Sequence, residues 1–408
     1  MRILYIHQFF ATRESDLGLI RSYEFARRWV EQGHEVVMIT SSSRLPEAFS
    51  RRLFARGDVE GIDVRSVRVT YSNYMSYARR MWSFVLFTCG AIWLALRAPR
   101  PDVVFATSTP LTVGIPGWFA AALRRIPFVF EVRDLWPEAA IQMGAFSRTG
   151  FLGRFTKSLE RFLYRHSAAV IALSPGMAEG VLAEEIPAWR VHMVPNSADL
   201  DLFTPGPKDA EFVSEHGLGN RFVVGYAGAI GPTNAVEDSV PEAARILKKR
   251  GREDIVFAIA GDGKCLPILR DAVDELELDN VHLIGSLPKR DVPRLTRSAD
   301  LLMTLFAAKP ILATNSPNKF FDALASGRPV LVNQPGWTRE LVEENEAGVA
   351  VPTGDGRAMA DAIERLADDP ELVARMGANA RRLAEERFGR EDLAAQVLEV
   401  LEAAASSR

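Results

Sequence analysis

The sequence predicts an α/β fold of two Rossmann-like, doubly wound domains facing each other across a cleft. Three observations predict it. Short, near-continuous runs of Val, Ile, Leu and Phe recur along the chain, as strands buried on both faces of a parallel sheet require. Longer segments with helical spacing separate them and supply the crossovers that parallel strands need. The alternation occurs twice, in a chain of 408 residues that is long enough for two ordinary cores.

In chain order, the strands of the first half are "RILYIH", "EVVMIT", "DVVFA", "PFVFEV" and "AAVIAL". Between the second and third lies "MWSFVLFTCGAIWLAL", Met81 to Leu96, sixteen residues without a charge and flanked by Arg79, Arg80 and Arg97. A membrane-spanning helix wants about 20 apolar residues, so this run reads as a buried crossover helix. Its Arg-flanked end, with Tyr74, Tyr77 and Trp82, is also suited to touch a membrane surface. "MVPNSADLDLFTPGPK", residues 193–208, is rich in Pro, Asp and Gly and marks the boundary. The strands of the second half are "FVVGYAG", "IVFAIAG", "VHLIG", "ADLLMTL" and "RPVLV", and the chain beyond Asp355 is helical. The expected domains are residues 1–195 and 196–385, with a C-terminal helix, 386–408, packing back toward the first.

Composition narrows the class. Hydrophobic residues make up 48% and charged residues 25%, which fits a soluble globular chain. Cys89 and Cys265 form no metal or redox pattern, so a reducing compartment is expected. The N-terminal apolar run is too short for a secretion signal. Residues 1–195 carry 24 Lys+Arg against 17 Asp+Glu, whereas the remainder carries 25 against 35. A basic half joined to an acidic half points to different partners for each.

The most informative stretch is "SPNKFFDALASGRPVLV", residues 316–332. Ser316 and Pro317 read as the N-cap and first residue of a helix. The amides of Asn318 and Lys319 then point outward at the positive end of the helix dipole, an anion site to which Lys319 adds a full charge. Asp322 follows on the same face, one turn in. Beside a phosphate, a carboxylate serves as an acceptor for ribose hydroxyls, so the stretch reads either as a nucleotide diphosphate site or as an ordinary capped helix. Two further strand ends carry turns that let a ligand approach: "YAGAIGPTNA" with Gly228 and Gly231, and "AGDGK" with Gly261 and Lys264. Ligands of doubly wound sheets sit at such carboxyl ends.

At this point the chain resembles the retaining glycosyltransferases of family 4, which have the GT-B fold. The likeness runs through "RSYEFARRWVEQGHEVVMITS", "IPFVFEVRDLWPE", "VVGYAGAIG", "AIAGDGK", "NVHLIGSLPKRDVPRL", "FFDALASGRPVLV" and "GWTRELVEENEAGVAVP". Within it, "EVRDLWPE" and "SPNKFFDALASG" resemble the bacterial branch that adds N-acetylated amino sugars, including N-acetylfucosamine, during surface polysaccharide assembly. The resemblance implies that the second domain binds a nucleotide sugar, UDP-linked, and the first domain an acceptor. The family's motif of two Glu separated by seven residues places its second acid on Asp322 and its first on Thr314. The family's Arg and Lys for the diphosphate fall on Ala229 and Asn234, leaving Lys319 to take over that charge, with Lys264 a second candidate. Many members carry a His where this chain has Arg133, which stays protonated and stabilises charge rather than accepting a proton. Asp134 is placed with it at the reacting centre. Glu131 and Asp134 either orient Arg133 or form a local strand-end salt bridge. Glu340 resembles an acid that holds the ribose or its loop, and Gly18 matches one member of an acceptor-side Gly-Gly pair.

The reaction so implied is sugar transfer with retention, in which the leaving diphosphate takes the acceptor's proton and catalysis is positioning plus charge stabilisation. No metal or other cofactor is expected. "DLD", residues 199–201, fits an Asp-x-Asp metal pattern but sits in the linker, and the histidines lack ligand spacing, with His7 and His34 reading as strand-end and turn residues. The expected acceptor is a lipid-linked sugar or glycan and the expected location is cytoplasmic, peripheral on the inner membrane face. No nucleic-acid partner is expected. A nucleotide-sugar epimerase and a non-catalytic nucleotide-sugar-binding protein are alternatives with the same architecture. A dinucleotide oxidoreductase is not, since "HQFFATRESDLG" after the first strand lacks the Gly-x-Gly-x-x-Gly loop.

Overall fold

The computed structural model describes residues 1–12, 21–72 and 75–407. Gly18 and Tyr74 lie outside the described residues. The chain divides into two compact units, Met1–Pro195 together with Arg390–Arg408, and Asn196–Gly389.

The strands of the first unit are β1 (Arg2–Ile6), β2 (Glu35–Ser41), β3 (Phe54–Val59), β4 (Ile62–Val67), β5 (Val103–Thr107), β6 (Phe128–Val132), β7 (Ala169–Ala172) and β8 (Val191–Met193). They form one sheet in the order β3-β4-β2-β1-β5-β6-β7-β8, parallel except for β3, which runs antiparallel to β4. β5, β6 and β7 are buried along their whole length, which is why they read as unbroken apolar runs. The β3–β4 hairpin is not legible that way. "FARGDV" and "IDVRSV" mix polar and apolar residues, and Glu60 and Gly61 turn the chain with φ of 50° and 83°, the two-residue turn whose twist suits a hairpin.

Helices cover both faces of this sheet. On one, Arg21–Glu31 and Arg390–Ser406 pack on each other and on the strands. Trp29 is fully buried there, its ring 5.8 Å from Tyr5 and 6.2 Å from Phe105, and its indole N–H donates to the Ala394 carbonyl at 2.9 Å. Burying side chains of this size contributes roughly 1.5–3 kcal/mol each. The terminal helix begins at Arg390, later than residue 386, because the preceding helix Pro370–Arg387 runs on through that position. On the other face lie Tyr77–Arg97, Gly114–Arg124 and Phe151–His166, with Phe130 of β6 6.2 Å from Tyr164. The uncharged run 81–96 belongs to the first of these helices. It buries Phe84, Phe87 and Leu94 but leaves Trp82, Val85, Leu86 and Trp93 exposed.

The second unit contains β9 (Phe222–Ala227), β10 (Ile255–Ala260), β11 (Val281–Gly285), β12 (Leu301–Thr304), β13 (Val330–Val332) and β14 (Gly348–Ala350). All pair in parallel, in the order β11-β10-β9-β12-β13-β14. The order reverses between β9 and β12, the switch point at which doubly wound sheets open a crevice at their carboxyl edge. The helix Asn318–Ala325 starts beside that point. Its far end is fixed from the helix Pro370–Arg387, where Arg381 donates to the Ala325 carbonyl at 2.7 Å, and Phe321 meets Phe388 with ring centroids 5.0 Å apart.

Candidate active site

At the carboxyl edge of the second sheet, two loops touch backbone to backbone. The Gly228 amide donates to the Ala260 carbonyl at 3.0 Å, Ile230 to Asp262 at 2.9 Å, and Cys265 back to Ile230 at 3.0 Å. A Cβ on Gly261 would lie 1.9 Å from the Gly228 oxygen, and one on Gly263 would lie 2.3 Å from the Ile230 oxygen. Only glycine permits this approach, so the pair of strand-end turns acts as one rigid wall.

The helix Asn318–Ala325 completes the site, and its start differs from the sequence expectation. Pro317, not Ser316, occupies the cap position, and no side chain caps the helix. Ser316 is buried, with its hydroxyl accepting from the Asn196 amide at 3.3 Å and its carbonyl accepting from the Asn196 side chain at 2.5 Å. The hydroxyl that would have capped the helix is taken by the start of the linker. The first intrahelical bond runs from Phe320 to Pro317 at 3.1 Å, so the Asn318 and Lys319 amides at the positive helix end are left for another acceptor.

Lys319 is the centre of the site. Its amine donates to Asn234 Oδ1 at 2.7 Å and to Tyr226 Oη at 2.8 Å, and lies 4.4 Å from the Tyr226 ring centroid. A Cβ on Gly228 would sit 3.2 Å from the same nitrogen, so the missing side chain at Gly228 leaves room against the ammonium. No carboxylate pairs with Lys319 among the described residues, and burial alone pulls its pKa down to about 7. The expected diphosphate positions Ala229 and Asn234 carry no charge, yet the Lys319 amine reaches Asn234 from the helix. A cation therefore stands where the loop lacks one.

Asp322, one turn further along, is held by Lys289, whose amine is 2.5 Å from Oδ2 and 4.4 Å from the Phe203 ring centroid. Lys289 was not singled out in the sequence. It lies just past the end of β11, and the rule that strand carboxyl ends carry ligands would have flagged it. Thr314, in place of the motif's first acid, donates its hydroxyl to the Ile311 carbonyl at 2.7 Å. Lys264 and Glu340 are exposed, and no hydrogen bond or ion pair ties either to the Lys319 cluster among the described residues. Asp199 of the "DLD" pattern is buried in a turn, where it accepts from the Leu202 amide at 3.2 Å.

The first unit corrects the reading of Glu131. Its carboxylate is fully buried and accepts from Arg21 at 3.0 and 3.1 Å and from the Thr107 hydroxyl. Arg21 also donates to the carbonyls of Val194, at 3.0 Å, and Pro195. Glu131 thus neutralises Arg21 and pins β6, the helix Arg21–Glu31 and the chain after β8 together, rather than orienting Arg133 or facing an acceptor. Asp134 does not hold the Arg133 guanidinium either. It accepts from Thr109 at 2.6 Å, and burial raises its pKa. Arg133 is fixed through its backbone, the amide donating to Ser108 Oγ at 2.9 Å. His7 is buried beside it, with Nδ1 2.7 Å from Ser22 Oγ. Burial, then the charges of Arg133 and Arg44, keep its imidazole well below the usual pKa and so neutral.

Sequence comparison decides the family. Residues 20–197 match the model of a glycosyl transferase 4-like domain, and residues 208–383 match that of glycosyl transferases group 1. The chain is a glycosyltransferase. The transferase is 32% identical over 229 residues to the alpha-D-kanosaminyltransferase of Streptomyces kanamyceticus, a match covering 55% of this chain and 57% of that one. It is 27% identical over 384 residues to the 2-deoxystreptamine N-acetyl-D-glucosaminyltransferase of Streptomyces fradiae, covering 90% and 88%. Among solved structures, it superposes on Anabaena HepE in complex with UDP with a TM-score of 0.72 at 18% identity, over 99% and 100% of the two chains. The sucrose-phosphate synthase of Thermosynechococcus elongatus gives 0.77 at 17% identity, over the full length of both. These likenesses establish the GT-B fold of two Rossmann-like domains. Among the described residues of the transferase, no three His, Cys, Asp or Glu side chains gather as a metal site.

The Lys319 environment makes a prediction about stability. An unfolded lysine titrates near 10.4. In the folded enzyme Lys319 loses its proton near 7. The unfolded chain therefore binds more protons between these values, so Lys319 destabilises the fold fully below pH 7 and progressively less as pH rises toward 10. Lys319→Met should raise the urea midpoint most at pH 6, with the gain over wild type shrinking by pH 10. A gain independent of pH would show that the amine is not desolvated.

Proposed function

We propose that the enzyme transfers a sugar, N-acetylated, from a UDP-sugar to a lipid-linked or glycan acceptor in surface polysaccharide assembly, with retention of anomeric configuration. The observation that carries the donor half is the Lys319 amine, desolvated, without a carboxylate and set against the bare backbone of Gly228. A buried cation without a counter-ion is costly, and an arriving diphosphate relieves that cost. In this reading the diphosphate lies on the Lys319 amine, on the uncapped Asn318 and Lys319 amides and along Gly228, with Asn234 orienting the amine and Ser316 holding the helix start to the linker.

Asp322, held by Lys289, is the acceptor for ribose hydroxyls. Lys264 and Glu340 flank the donor from their exposed positions. The first unit takes the acceptor. Arg133 stabilises charge at the reacting centre and Asp134, fixed by Thr109, shapes the strand end beside it. In the retaining reaction that the family resemblance implies, the leaving phosphate oxygen receives the acceptor's proton. The N-acetylated sugar rests on the likeness of "EVRDLWPE" and "SPNKFFDALASG" to that branch, and the name of the Streptomyces fradiae relative is consistent with it.

Lys319→Ala removes a charge-assisted bond of about 1.5–3 kcal/mol, so UDP should bind about 10–150-fold more weakly by calorimetry. Product anomers read by NMR from a panel of UDP-sugars should match the donor's configuration. Wild-type UDP affinity in the variant would remove Lys319 from the site, and inverted product would remove the retaining mechanism.

The first unit also carries a surface suited to an anionic membrane. The helices Tyr77–Arg97, Gly114–Arg124 and Phe151–His166 contain eight Lys+Arg and one acid, Glu160, which is buried and pairs with Lys157 at 2.5 Å. Their outer faces expose Trp82, Trp93, Leu123, Phe151 (81% exposed) and Phe155 among the arginines. No helix among the described residues is long and apolar enough to cross a membrane. Aromatic side chains inserted at the interface, with arginines at the headgroups, describe peripheral contact instead. The protein should sediment with vesicles containing anionic lipid, release with salt, and lose binding in a Trp82→Glu/Phe151→Glu variant. Failure to sediment with either anionic or zwitterionic vesicles would end the membrane proposal.

A further inference from the structure

The carboxyl edge of the first sheet holds a second cationic cluster that the donor site does not use. Strands β2, β1, β5 and β6 are neighbours, and their register aligns Ile39, Ile6, Ala106 and Phe130 in one row. Just past that row come His7 after β1, Arg44 after β2, Ser108 after β5 and Arg133 after β6. From β2 to β6 is three strand spacings, about 14 Å at about 4.8 Å each. Arg44 reaches from beyond β2 over the ring of Phe9, which follows β1, and the Arg133 amide bonds to Ser108, which follows β5. The charge of Arg133 acts on both His7 and Arg44, in keeping with their place at one sheet edge.

Among the described residues, neither guanidinium has a counter-ion. Arg44 is half-buried and stacks on an aromatic platform, its Cζ 4.9 Å from the Phe9 ring centroid, and Phe9 in turn meets Tyr71 at 4.6 Å. Arg133 is anchored by its backbone amide on Ser108. Among the described residues, the acids flanking Arg133 in sequence are committed elsewhere, Glu131 to Arg21 and Thr107, and Asp134 to Thr109. His7 is neutral and adds no negative charge. Two like charges near each other repel, and planar guanidinium forks are matched to phosphate oxygens. A cationic acceptor would add to that repulsion.

We propose that Arg44 and Arg133 together clamp a phosphate group carried by the acceptor, so that this enzyme glycosylates a phosphorylated acceptor. The inference rests on the reading of the first unit as the acceptor unit and names the acceptor's chemical class. Arg44 sets specificity in it, while Arg133 lies nearer the reaction. The phosphate is either that of a soluble sugar phosphate or that of a polyprenyl-linked sugar, and the test has an arm for each.

The enzyme is first saturated with UDP, then titrated with glucose 1-phosphate or with phosphatidylcholine vesicles with and without a polyprenyl phosphate. Glucose 1-phosphate binding weakened at least tenfold by Arg44→Gln, restored in part by Arg44→Lys, with UDP affinity unchanged, supports a soluble acceptor. The same loss confined to the polyprenyl phosphate vesicles supports a lipid acceptor. Normal UDP binding with no phosphate-dependent binding in either arm, or binding that Arg44→Gln leaves intact, overturns the clamp and spares the donor site. Absence of UDP binding overturns the donor reading instead. The same two titrations on the free enzyme then judge the clamp by the same Arg44→Gln criterion.

Discussion

Lys319 has its amine parked against Gly228, bonded to one amide oxygen and one phenol and matched by no carboxylate among the described residues. Much of the second unit is arranged to make that placement possible. Gly261 and Gly263 let two strand-end loops close on each other, the strand reversal beside β9 opens space at their edge, and Arg381 and Asn196 fix the two ends of the helix that delivers the lysine. The lysine is destabilising on its own account, since burial opposes its charge. Such local cost in a packed domain is what a binding site for an anion looks like before the anion arrives.

The same logic extends to the first unit with a different outcome. There the deeply buried acid, Glu131, is fully used by Arg21, so its charge is structural; removal of one partner from such a pair typically costs about 3–5 kcal/mol. Among the described residues, Arg133 and Arg44 remain without a counter-ion. The first unit thus spends Glu131 on holding the fold and leaves cations at the carboxyl edge of its sheet, as the second leaves Lys319. The excess of basic residues in 1–195 has two homes, this edge and the helices of one face, where arginines surround exposed Trp and Phe side chains.

What was legible in the sequence follows from sequence distance. The ten apolar runs mark strands because burial on both faces leaves no room for polar residues. β3 escaped notice because no residue of it is fully buried, β4 because Asp63, Arg65 and Ser66 break its apolar run, β8 because its residues are half-buried or exposed, and β14 because a glycine opens a run of only three. Residues on a single helix or loop could be grouped from spacing, as Lys319 and Asp322 were. Partners from distant segments could not. Asn196 takes the Ser316 hydroxyl across 120 positions, so the cap was misread, and Arg21 claims Glu131 across 110, so the salt bridge of Glu131 is not the local one expected. Lys289, the partner of Asp322, and Arg44, the partner in charge of Arg133, were missed because each is an unremarkable surface-type residue until the strands bring it to its place.

The central claim is that the Lys319 amine grips the donor's diphosphate. A crystal structure of the enzyme with UDP tests it most directly. The account predicts a phosphate oxygen within about 2.7–3.2 Å of Lys319 Nζ, the helix amides of Asn318 and Lys319 turned to the phosphates, and the ribose on Asp322. Phosphates bound away from Lys319, with its amine still on Asn234 and Tyr226 alone, would contradict it.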